Sequence, residues 1–168
     1  LLKHECLHLV FGHTTERRRD PHLIWNYGTD LAINSTIPSH ELPKGGLIPG
    51  EKLYLDNDQK SNMTDDELKR FMGLSNLIES FPRDKTSEYY FNRLMSDPDV
   101  KEYLEEMEKG SSVGIGFDDH EGWDEMSNEE KELIQGKIKE LVKDAAEEAE
   151  CRNWGSVSQH TRAEIYKM

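Results

Sequence analysis

The chain lacks the features that mark a membrane-embedded or disulfide-stapled protein. No apolar run approaches the ~20 residues that a bilayer-spanning helix needs, and no signal peptide is visible. Cysteine is scarce. Two of them, Cys6 and Cys151, form one bridge at most, and Cys6 lies between two histidines in a helical stretch, which predicts reduced thiols in a reducing compartment. Positive charge is also short, with 21 Lys and Arg against 34 Asp and Glu and a formal charge of −13. That balance argues against a nucleic-acid backbone or an anionic membrane as the main partner. With hydrophobic residues at only 35%, thin helical layers with wet outer faces are expected rather than one thick core.

What the chain does have is helical punctuation. Leu2, Cys6, Leu9 and Val10 form an apolar stripe in a first helix that Gly12 stops. Asp20-Pro21 opens a second helix over "HLIWNYGTDLAIN", with Asp as cap and Pro at the first helical position. "SHELPKGGLIPGEKLYL" has no helical period and reads as irregular, with a short strand at residues 52–55. Thr64 and Glu67 make a capping box for a helix running to about Phe81, and two shorter helices follow around Pro98. "GSSVGIGFDDHEGWDEM" breaks the pattern. Ser127 and Glu130 then launch a long helix whose Ile134, Ile138, Leu141, Ala145 and Ala149 form one face, read as packing onto the rest of the domain. The fold class is therefore mainly α, α+β at most. It divides into a metal-site region over residues 1–60 and a helical remainder over 61–168. The opening and closing segments break into helical pattern abruptly, so a fragment lacking an N-terminal part of the fold is expected.

The chemistry is concentrated in "KHECLHLVFGH". Residues four apart share a helix face, so His4 and His8 can offer two imidazole nitrogens to one zinc ion (Zn2+). Glu5, beside His4, is suited to take a proton from metal-bound water, the arrangement of His-Glu-x-x-His zinc peptidases. A third ligand is required. Asp30 on the second helix, with Asn26 and Asn34 one turn to either side, ranks first; His13, just past Gly12, ranks second; His120 in "FDDHEGW" ranks third. His120 is also a candidate donor to the transition-state oxyanion, with Tyr27 and Tyr54 weaker ones. Trp25 is read as core, Cys6 as a small core residue, and "RRR" at 17–19 as pairing with the acidic second half.

"HECLHLVFGHTTERRRDPHLIWNYGTDLAIN" resembles the metallopeptidase domain of bacteria and their phages that often lies upstream of a von Willebrand factor A-like domain. That family shows His-Glu-x-Leu-His, then Gly-His, an Arg, and a Trp-Asn-x-Ala-x-Asp-x-x-Ile-Asn helix. The matching positions are His4, Glu5, Leu7, His8, Gly12, His13, Arg17 or Arg18, Trp25, Asn26, Asp30, Ile33 and Asn34. Gly28 stands where the family usually has Ala, and no Asp-x-Ser-x-Ser motif of an A-like domain occurs within these residues. The strong part of the resemblance covers about the first 50 residues.

The resemblance implies a zincin-like fold and a zinc-dependent peptidase, with His4 and His8 as ligands and Glu5 as base. It implies Asp30 and His13 as site residues without choosing between them, so His13 and Asn26 stand as alternative ligands or outer partners. The expected partner is a peptide or protein substrate, with no nucleic acid and no membrane. The expected location is the cytoplasm of a bacterial or phage-infected cell, or a virion. The rival expectation is a non-catalytic zincin-scaffold module within a larger assembly.

Overall fold

In the computed structural model, the described residues are 2–13, 17, 19–43, 45–110, 127–151, 153–155, 157 and 159–166. Among them there are helices and turns but no strand. The chain divides into two compact units, residues 1–18 with 120–168, and residues 19–119. Position 60 falls inside a short helix within the second unit.

The first unit holds α1 (Leu2–Val10), α7 (Asn128–Cys151) and α8 (Gln159–Ile165), and α1 packs against α7. Gly12 ends α1 as expected. With φ +66° it adopts the left-handed conformation, while its N–H donates to the Leu9 carbonyl at 3.1 Å and that of His13 to the His8 carbonyl at 3.0 Å. This is the paired closure of a Schellman turn. The buried side of α1 is not the stripe that the sequence suggests: Cys6 and Leu9 are exposed, and His8 is the buried residue. A one-dimensional pattern states which residues are apolar and not which of them end up buried. At α7, Ser127 and Glu130 form the expected capping box, but no described side chain of the helix is buried. Along its apolar stripe Ile134, Ile138 and Ala149 are partly buried, while Leu141 and Ala145 are exposed.

The second unit is built around α2 (His22–Thr36), whose residues from Ile24 to Ser35 are all buried. A helix enclosed on every side needs apolar or hydrogen-bonded residues all round, and Ile24, Trp25, Leu31 and Ile33 supply the former. Four helices follow it in this unit, α3 (Asn57–Asn62), α4 (Asp65–Glu79), α5 (Ser87–Met95) and α6 (Pro98–Glu108); α5 and α6 pack on α2, and α4 packs on α6. The core joins Ile24, Trp25, Tyr27 and Leu31 to Leu74 and Ile78 of α4, Tyr90 and Leu94 of α5, and Tyr103 of α6. Local caps define the outer helices. Thr64 and Glu67 exchange hydrogen bonds at the start of α4, Thr86 accepts from the Tyr89 N–H of α5, and Asp97 from the Val100 N–H of α6. Asp56 and Gln59 form a further capping box on α3.

Three expectations change here. Asp20 is not the cap of α2: Pro21 occupies that position without a side-chain bond. The first-turn Leu23 N–H instead finds the Glu108 carboxylate of α6 at 3.1 Å, so a partner distant in sequence serves an end that has no local cap. Residues 52–55 are not a strand, because no neighbouring strand pairs with them among the described residues; Leu53 donates to the Ser75 hydroxyl at 3.0 Å instead. Arg19 lies over the Trp25 and Phe91 rings at 5.7 and 5.8 Å rather than serving the acidic half of the chain.

Candidate metal centre

In the first unit, one turn of α1 separates His4 from His8 and brings their Nε2 atoms to 3.0 Å. The rings meet edge to face, with centroids 4.7 Å apart. Two zinc–nitrogen bonds of about 2.0–2.1 Å at a tetrahedral angle hold their nitrogens about 3.3 Å apart. The pair therefore fits two ligands of one ion with a shift of a few tenths of an ångström. In the metal-free chain the same spacing suits an N–H···N hydrogen bond. His8 is buried, and His4 and Glu5 are half-buried on the same helix.

The Schellman turn carries His13 back onto α1. Its Nδ1 lies 3.4 Å from His8 Nδ1, on the ring edge opposite the one that faces His4. The His13 ring also meets Phe11 edge to face at 5.6 Å and is buried. The contact is readable in the sequence only through Gly12, since on a continued helix His13 would point away from His4. Arg17 closes over this helix end, its guanidinium 3.4 Å from the Phe11 carbonyl, where a cation complements unpaired carbonyls.

In the second unit, His22, Asn26, Asp30 and Asn34 follow at four-residue intervals along α2 and so share one face. Asn26 Nδ2 stands 3.3 Å from His22 Nε2, and Asn34 Nδ2 donates to the Leu47 carbonyl at 2.9 Å. Asp30 is 8% exposed. A carboxylate at that depth is costly unless a cation or hydrogen-bond donors face it, which makes Asp30 a sensible donor for a metal. One helical step away, burial pushes the Tyr27 phenol well above its ordinary range, with Tyr103 and Asp30 adding to the effect, so Tyr27 stays protonated. Tyr54 is exposed. His120 lies outside the described residues, as do Asp118, Asp119 and Trp123.

No helix among the described residues is long and apolar enough to cross a membrane. No family model, no curated protein and no solved structure matches the chain.

Proposed function

We propose that the chain is a zinc-dependent metallopeptidase of the His-Glu-x-x-His type with a zincin-like fold. The observation that carries this reading is the convergence of the His4 and His8 Nε2 atoms at 3.0 Å on α1. His4 and His8 would hold the ion, and Asp30, a buried carboxylate at the position the resemblance marks, is the proposed third ligand. When bound, zinc lowers the pKa of a coordinated water towards neutrality and polarises the carbonyl under attack. Glu5 would take a proton from the attacking water and pass it to the departing amine as the C–N bond breaks. The substrate is a peptide or protein, encountered in the cytoplasm of a bacterial or phage-infected cell or in a virion.

The test is a pair of variants assayed for zinc content and peptide hydrolysis. Glu5→Gln is expected to keep its zinc and lose hydrolysis, while His4→Ala loses both. Hydrolysis undiminished in both would overturn the reading.

A second reading, a non-catalytic assembly module on the same scaffold, is favoured by α7. Leu133 and Leu141 are 61% and 68% exposed on that 24-residue helix, a long helix with acidic and basic residues between its apolar positions that a protein partner could cover. Retention of zinc by a protein that hydrolyses no peptide would favour it.

A further inference from the structure

We infer that His13 holds the proton of His8 on Nδ1 and so keeps the His8 Nε2 lone pair turned towards His4. The inference rests on the zinc reading above and adds to it a positioning residue that acts through His8.

A neutral imidazole has one N–H and one lone pair, and whichever group meets one nitrogen decides the role of the other. His8 has both nitrogens engaged, Nε2 with His4 Nε2 at 3.0 Å and Nδ1 with His13 Nδ1 at 3.4 Å. Two arrangements satisfy these contacts. In one, His8 Nδ1–H donates to His13 Nδ1, and the His8 Nε2 lone pair faces His4. In the other, His13 Nδ1–H donates to His8, whose Nε2–H then points at His4. Only the first leaves His8 able to bind a metal without first moving its proton, because a ligating nitrogen must carry no hydrogen. The proton shared by His4 and His8 then sits on His4 Nε2, beside the half-exposed end of the contact, and is the one released when metal binds.

The backbone makes the contact a durable one. Gly12 at φ +66° turns the chain so that His13 donates its N–H to the His8 carbonyl at 3.0 Å while its ring meets the His8 ring. The same residue is thus held at both its main chain and its side chain. Phe11 packs edge to face on the His13 ring, and burial limits competition from water for the bond. Outer partners of this kind orient the ring and raise the basicity of the ligating nitrogen, and their loss weakens metal binding by about 10–100-fold.

The experiment uses the full chain, labelled with 15N at histidine and kept at about pH 8, where free imidazole is neutral. Long-range 15N–1H correlation spectra of the metal-free protein read the tautomer of each ring, and zinc titration against a competing chelator reads affinity. The expected result is His8 protonated at Nδ1 in the wild type and in His13→Asn, whose Oδ1 stands about where the imidazole Nδ1 stood. His13→Ala and His13→Gln, which offer no acceptor there, lose that fixed tautomer and about 10–100-fold in zinc affinity. His8 protonated at Nε2 in the wild type would overturn the inference. So would equal zinc affinity in the wild type, His13→Asn and His13→Gln, a comparison that holds even where His13→Ala does not fold. A wild-type chain that takes up no zinc would sink the metallopeptidase reading, and the tautomer spectra would then decide the His8–His13 pairing by themselves.

Discussion

The Nε2 atoms of His4 and His8 face each other across one turn of α1, 3.0 Å apart. A ligand that binds only the folded chain stabilises it by mass action, by about 2.7 kcal/mol at a free concentration one hundred times Kd. Zinc is therefore expected to raise the thermal midpoint of the wild type, and a chelator to reverse the rise. His8→Ala should show neither effect. An equal zinc shift in that variant would place the ion elsewhere.

Gly12 closes α1 in a conformation that side chains resist. Gly12→Ala should cost about 1 kcal/mol through the left-handed φ of +66°. It should also weaken zinc uptake by displacing His13 from His8. Denaturant melts and zinc titration of one variant check both effects, and unchanged values in both would mean that the turn does not position the ring.

Gly28→Ala sets two effects against each other. Alanine is favoured in a helix interior by about 1 kcal/mol, yet a Cβ at position 28 would lie 3.0 Å from the Ser87 carbonyl oxygen and 3.1 Å from the Phe91 amide nitrogen. Both are backbone atoms of α5 and cannot swing aside as a side chain does. The contact is expected to win, with a net loss of about 1–2 kcal/mol in urea denaturation. A gain in stability would show that α2 and α5 can part at little cost.

The capping box of α4 predicts an acid-sensitive contribution. Hydrogen bonds from the Thr64 backbone and side chain hold the Glu67 carboxyl below its ordinary range. A depressed folded-state pKa contributes stability that is present above the unfolded value of about 4.3 and is lost as pH falls through the folded value. Glu67→Gln should therefore narrow the stability difference from wild type as the solution is acidified below about pH 4. Thr64→Ala should cost about 1 kcal/mol near neutrality. Parallel pH profiles for wild type and Glu67→Gln would exclude this coupling.

Much of the helical order was legible because its signals are local. Thr64 with Glu67, Asp97 with Pro98, and Ser127 with Glu130 each satisfy orphan amides within one turn, and the helices begin where those residues stand. The start of α2 was misread for the same reason in reverse. Its amide partner, Glu108, lies 85 residues away, and no local pattern announces such a bond. The exposure of Cys6 and the partial cover of α7 were likewise hidden, since an apolar stripe states what a helix can bury and not what its neighbours reach.

The candidate site divides along the same line. The spacing of His4 and His8 was sufficient to place two imidazoles on one helix face, because a four-residue interval is nearly one turn in any α-helix. The sequence also supplied Glu5 beside them and the glycine able to end the helix. Whether that ending returned His13 to His8, and on which ring edge, depended on the φ of a single glycine and on the packing of Phe11 against the returning ring. Backbone turns of that kind are chosen by the contacts they make after folding, and those contacts exist only in the tertiary structure.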